Sequence, residues 1–398
     1  MCDHASMDDD LYVDANEATE MLGVSVATLY AYVSRKKLRS FPTPGSRTRR
    51  YWRSDILGLM TGAQRTRTVA PTPRESAITL LTENGTYYRG RSAIDLARTA
   101  SVESVAALLW QADAGAIFTD RLPRLPPSHG LLFPALAGIA PHDRVLSILP
   151  LIEQANPLAF DLSSEGFART GADALRWLAA ILVGRDRPST EPLHAFIAES
   201  RGATDAVADV IRQALILAAD HEFDPTTHAV RSAATGVTPY SAVLVGLLAG
   251  RGQKLRVKRT ETMRRLLREI TASDRPEEVV VGVFKAGDTI PAFDRYDIHD
   301  TGDPRAEALL TAFETAFAGD PEFERLSRAI AVAVELTGMR PSFILPIMFL
   351  GQKLGLEGHE IGIGTIGRAI GWIAHAQEQQ MIPGVERPRA TYTGPLPG

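Results

Sequence analysis

The stretch 217–236 reads LAADHEFDPTTHAVRSAATG and stands at the end of a helical pattern that runs over 206–219. Working outward from it, apolar residues return at helical intervals over 93–111, 171–182, 240–249, 305–317, 322–336 and 344–354. Alternating strand patterns are scarce, and no repeat at a fixed period appears. The pattern predicts a large all-α body beginning near residue 70. The Pro-rich stretch 122–128 and the segment 287–304 are its expected irregular connections.

A chain of 398 residues exceeds one ordinary compact domain, so a second module is expected beside this body. With 45% hydrophobic and 23% charged residues it can bury a large core. The single Cys2 excludes an internal disulfide, and the acidic start (Asp3, Asp8, Asp9, Asp10) has neither the basic nor the apolar region of a signal peptide. The longest apolar stretches, such as 241–250, fall short of a membrane span. The expectation is a cytoplasmic protein with no membrane, metal or cofactor.

The net charge of -4 hides an asymmetry. Between Ser25 and Ala70 stand Arg35, Lys36, Lys37, Arg39, Arg47, Arg49, Arg50, Arg53, Arg65 and Arg67 against the single acid Asp55. A compact basic patch beside a neutral-to-acidic body suits a nucleic-acid-facing module, with a solvated basic surface as the plain alternative. Over 11–22 a short strand or turn leads into an amphipathic helix that Gly23 ends. Ser25 can cap a second helix whose Val26, Leu29, Tyr30 and Val33 form the expected buried stripe, with Thr28, Tyr32 and Arg35 outward. The run 44–52 reads as a tight turn within a basic hairpin, leading to a third helix capped by Ser54 or Asp55.

The run ANEATEMLGVSVATLYAYVSRKKLRS (15–40) resembles the helix-turn-helix of the MerR and excisionase type, and the order of elements suggests a winged helix over 1–66. That resemblance implies a second helix in a major groove, with Thr28, Tyr32 and Arg35 facing bases and Arg47, Arg49 and Arg50 on phosphates. A vestigial or protein-binding module is the alternative. In the body, 67–398, five separated motifs resemble the citrate synthase family: SAITLLTENGTYYRGRSAIDLA (76–97), the DHE run quoted above, GDPRAEALL (302–310), IGRAIGWIAHAQEQ (366–379) and ERPRATYTGP (386–395). The implied fold is that of citrate synthase, with large and small helical domains.

Family chemistry joins oxaloacetate to an acyl-CoA. Gripping the dianionic keto acid calls for planar guanidinium groups, and the resemblance places Arg305, Arg368 and Arg387 in that role, the last reaching into the neighbouring subunit. His221 matches the histidine that bonds a substrate oxygen. A surface salt bridge is the plain alternative for each arginine. The groups that activate the acyl methyl are replaced: Leu255 stands for the enol-stabilising histidine, Arg295 or Tyr296 for the keto-polarising one, and Ser342 for the carboxylate base. A neutral serine is no base without an activator. Asp294 and His299 could substitute only if a shifted loop brought them to the substrate.

The expected function is a citrate synthase relative that binds oxaloacetate or a citrate-like carboxylate, is catalytically impaired, and carries a head able to bind DNA. The alternatives are an active citrate or 2-methylcitrate synthase with relocated groups and acyl-CoA as co-substrate, or a regulatory subunit of a heteromeric synthase. A homodimer is expected, with a heteromer containing an intact paralogue as the variant.

Overall fold

The computed structural model describes residues 12–35, 38–43, 46, 48–53, 55–56, 59, 75–83, 85–251, 254–286, 289–293 and 302–382, with the backbone alone for 254–259. The chain divides into the units Met1–Glu75 and Ser76–Gly398. No described helix is long and apolar enough to cross a membrane.

In the first unit, strand β1 (Tyr12–Val13) precedes α1 (Ala15–Leu22), α2 (Val26–Ser34), β2 (Ser40–Pro42) and β3 (Arg49–Trp52). Asp14 caps α1 by accepting from the backbone of Asn16 and Glu17, and Gly23, at φ 63°, ends it in the left-handed conformation that glycine adopts without cost. Ser25 caps α2 by accepting from the Thr28 backbone. The strands form an antiparallel sheet in the order β1-β3-β2, the wing expected from the basic hairpin. Val13, Ala18, Leu29, Leu38, Tyr51 and Ile56 make the core.

The outward face of α2 differs from expectation. Leu29 is buried, but Val26 and Tyr30 are 44% and 54% exposed. Tyr32, expected outside, packs beside Val33 against the core. Tyr30 and Tyr32 are two residues apart and so lie on nearly opposite sides of a helix, and the core takes Tyr32. Asp55, a candidate helix cap, instead gives its carboxylate to Arg39 in a bidentate pair with bonds of 2.8 and 2.9 Å. Ser54 lies outside the described residues.

The second unit opens with the antiparallel hairpin β4 (Thr79–Thr82) and β5 (Gly85–Tyr88), extended by β6 (Arg91–Ser92). Then come α3 (Ala93–Thr99), α4 (Val102–Trp110), α5 (Ala114–Ile117), α6 (His129–Ala135), α7 (Pro141–Ala155) and a 3-10 turn (Pro157–Phe160). The single helix expected over 93–111 is two, because Ser101 caps a new start. The middle holds α8 (Ser164–Leu182), α9 (Leu193–Arg201), α10 (Asp205–Leu217), α11 (Pro225–Ala233) and α12 (Pro239–Arg251). The last third holds α13 (Lys254–Ala272), α14 (Pro276–Lys285), α15 (Pro304–Ala316), α16 (Pro321–Thr337), α17 (Ile344–Lys353) and α18 (Gly362–Gln380).

Helix α18 is the axis of this unit and packs against α4, α8, α10, α11 and α12. A second group, α13 to α17, packs mainly within itself and meets the first where α15 lies on α10. Because α18 is buried on nearly every side, its polar residues Arg368, His375 and Gln377 must find partners inside the protein.

Candidate functional site

The segment after α10 carries Asp220 and His221, and three features fix its position. The Tyr88 hydroxyl lies 3.0 Å from the Ile216 carbonyl and 3.2 Å from that of Leu217, which clasps the end of α10. Gly367 and Gly371 of α18 face the same segment: a Cβ on Gly371 would run into the Asp220 carboxylate and the Ala219 carbonyl. The two glycines let α18 come close enough for Arg368 to reach across. Its Nη1 donates to Asp220 Oδ1 at 2.5 Å, and its Nη2 donates to Thr227 Oγ1 at 2.6 Å while lying 3.1 Å from Asp224 Oδ2. Arg368 Nε is buried with no hydrogen-bond partner among the described residues.

Arg305 enters from the first turn of α15. Asp303 caps that helix through the Arg305 backbone N–H at 3.0 Å and grips the same residue's guanidinium through Nε at 3.0 Å and Nη2 at 2.7 Å. The guanidinium carbon sits 4.8 Å over the Phe343 ring. Burial alone would raise the Asp303 carboxyl, but Arg305 dominates and His221 adds to it, holding it at about 2. Burial pushes the Tyr88 phenol up to about 12, and both Arg305 and Arg368 oppose that rise. The predicted residues His221, Arg305 and Arg368 therefore converge around Tyr88, Asp220 and Asp303. Arg387 lies outside the described residues.

The arginines are not surface ion pairs. Each is buried and already faces a carboxylate, so the cage is near electrical balance. An incoming dicarboxylate must share or displace those carboxylates, or use donors such as Arg368 Nε.

Behind the cage runs a buried network that the sequence reading missed. His375 Nε2 lies 3.2 Å from Asp220 Oδ2, and Arg231 Nη1 lies 3.2 Å from His375 Nδ1. Since the arginine can only donate, Nδ1 accepts and Nε2 is the donor to Asp220. Arg231 also donates to Glu378 Oε2 at 2.6 Å, and Glu378 Oε1 accepts the Ala77 backbone N–H at 2.8 Å. Burial would raise the Asp220 carboxyl, yet His375 and Arg368 hold it well below the usual carboxylate range. A histidine and a glutamate inside the apolar pattern of 366–379 were the available signal.

On the acyl side, Ser342 Oγ is buried with no hydrogen-bond partner among the described residues, and its backbone N–H donates to the Ala292 carbonyl at 2.8 Å. Ala292 is fully buried at φ 69°, a left-handed conformation that costs a residue with a Cβ about 1–2 kcal/mol. Leu255 falls in the first turn of α13, and its side chain is outside the described set, as are Asp294, Arg295, Tyr296 and His299.

In the first unit, Thr28 is half-buried and bonds the Ser25 hydroxyl at 3.0 Å, and Tyr32 is half-buried against the core. Arg35 is exposed at the end of α2. Arg49 is exposed and donates to the Ser40 hydroxyl and carbonyl, each at 3.1 Å. Arg50 stacks 4.1 Å over the Tyr12 ring. Arg47 is outside the described residues. Glu17 binds Arg53 at 2.7 Å, which leaves Arg35 and Arg49 as the exposed cations with no acidic partner among the described residues.

Residues 177–389 match the family description "Citrate synthase, C-terminal domain", and residues 12–63 match "Helix-turn-helix domain". The chain is 30% identical over 198 residues to a citrate synthase of Haloferax volcanii, covering 48% of this chain and 51% of that one, so it spans about half the length of that relative. It is 26% identical over 348 residues to a 2-methylcitrate synthase of Mycobacterium tuberculosis, covering 78% of this chain and 85% of that one. Its fold is similar to the citrate synthase of Thermoplasma acidophilum solved with carboxymethyl coenzyme A and oxaloacetate, with a TM-score of 0.68 at 18% identity, covering 82% of this chain and 95% of that one.

Proposed function

Because the chain belongs to the citrate synthase family, we propose that it binds a di- or tricarboxylate in the cage of His221, Arg305 and Arg368 without condensing it with an acyl thioester, and that its helix-turn-helix head binds duplex DNA in response. The observation that carries the first half is Ser342: a neutral hydroxyl stands where the family resemblance calls for the proton-abstracting carboxylate. Among the described residues no base bonds this hydroxyl; a hydroxyl without an activating base cannot take a proton from an acyl methyl, and losing a general base costs on the order of 100- to 10,000-fold in rate. Oxaloacetate or citrate would compete for the guanidinium groups that Asp220 and Asp303 now hold. A two-fold dimer, with Arg387 of each subunit completing the other's cage, belongs to the same reading.

Calorimetric titration with oxaloacetate, citrate and acetyl-CoA tests the first half. Binding of a carboxylate, with heat abolished by Arg305→Ala, is expected; tight acetyl-CoA binding and thiol release at an ordinary synthase rate would overturn it. Gel shift with and without oxaloacetate tests the second half, and no DNA binding in either condition would remove it. The synthase names of the relatives favour the other reading, an active enzyme with relocated groups, and the thiol-release assay separates the two.

A further inference from the structure

We propose that the exposed N-terminal part of α2 reads the 5-methyl groups of thymine in a DNA major groove through Val26, Ala27 and Tyr30. The proposal rests on the reading of the head as a DNA binder and names what it recognises. Val26 and Tyr30 are 44% and 54% exposed and stand four residues apart, on one side of the helix, with exposed Ala27 beside them. Leu29 is buried in the core, and Tyr32 and Val33 are half-buried against it. An apolar outward stripe on a small, otherwise charged module is an unmet surface that calls for a partner.

The charge around the stripe selects a polyanion over an apolar protein groove. Arg35 is exposed at the end of the same helix, and the partners of Arg49 are the uncharged oxygens of Ser40, so its charge is available to phosphate. Arg49 stands on β3 two residues before buried Tyr51.

The chemistry of the base edges then limits what the stripe can recognise. The major groove offers donors, acceptors and one apolar group, the thymine methyl. Bidentate reading of guanine or adenine needs a guanidinium, ammonium or amide group, and Val26, Ala27 and Tyr30 offer none. Thr28, the nearest hydroxyl, is engaged with the cap at Ser25. Helix-turn-helix modules place the N-terminal residues of the second helix against base edges, which is where Val26, Ala27 and Tyr30 lie.

The test uses the full-length protein and a duplex selected by it from a random pool, resynthesised with deoxyuridine for thymidine so that only methyl groups are removed. Expected is a three- to ten-fold weaker affinity for the uridine duplex, about 0.7–1.4 kcal/mol. The double variant Val26→Ala, Tyr30→Ala should bind both duplexes alike while keeping its salt dependence, and Tyr30→Phe should keep the discrimination. A thermal melt of each variant confirms that the head is folded. Equal affinity of the unmodified protein for the two duplexes, with DNA binding intact, overturns the inference and leaves the DNA-binding reading standing. No binding to any duplex at low salt overturns both. Concentration-dependent self-association lost in the double variant, without DNA binding, would assign the stripe to protein contact instead.

Discussion

Asp303 shows how much depends on one carboxylate. It caps α15, orients Arg305 and feels His221, and its folded carboxyl is held at about 2 against the ordinary range near 4. A depressed carboxyl stabilises the fold at pH above about 4 and loses that contribution as pH falls toward 2, a swing of about 2 kcal/mol. Replacing it by asparagine leaves the buried Arg305 guanidinium unpaired, so Asp303→Asn should cost about 3–5 kcal/mol at neutral pH. Denaturant titrations of both proteins across the acid range would check this: the variant should be weaker at pH 7 and flatter below pH 4. The sign reverses at Asp173, where burial raises the carboxyl to about 6 despite Arg176 nearby. Its charged form destabilises the fold as pH rises from about 4 through 6, so Asp173→Asn should gain on the order of 2 kcal/mol at pH 7 and nothing at pH 3. A gain that persists at pH 3 would refute that cause.

At the scale of elements, the crossing of α18 over the end of α10 depends on missing side chains. Gly371→Ala would place a methyl group against the Asp220 carboxylate and the Ala219 carbonyl, and Gly367→Ala another against the Leu215 carbonyl. Either should push the helices apart, cost about 1–3 kcal/mol and detach Arg368 from Asp220. A melting temperature within error of the parent would contradict the packing account. The long helices were legible because their apolar spacing follows burial on α18 and its neighbours. The facing of α2 was not, since Tyr30 and Tyr32 are equally plausible core residues until the rest of the head's core is in place. The cage arginines were legible from their motifs, and Asp303 grips Arg305 from two residues away, whereas the partners of Asp220 and the pair His375 and Arg231 become visible only when distant segments meet. A sequence shows a charge but not the opposite charge that folding brings to it.

For the molecule as a whole, carboxylate binding and DNA binding give different signatures. A ligand that enters the cage binds the folded state alone, so oxaloacetate at about 100 times its dissociation constant should add about 2.7 kcal/mol of stability. Differential scanning fluorimetry should register that gain in the parent and lose it in Arg368→Ala. Affinity of the head for DNA should fall steeply with salt, and Arg49→Ala should lower the slope of log affinity against log salt by about 1. A slope unchanged by that substitution would show that Arg49 touches no phosphate.

The hydrogen bond between Glu378 and the Ala77 amide also marks a splice point. The residues just ahead of β4 are stitched to the last turn of α18, so the polypeptide leaves the body from a pinned exit. Exchanging the segment ahead of Ser76 for an unrelated module would keep that stitch, and the cage it backs, intact. A cut after Ala77 would remove the amide that Glu378 accepts and leave this glutamate to Arg231 alone. The body is therefore expected to fold with an unrelated module in front of Ser76, which a melt of such a chimera would check.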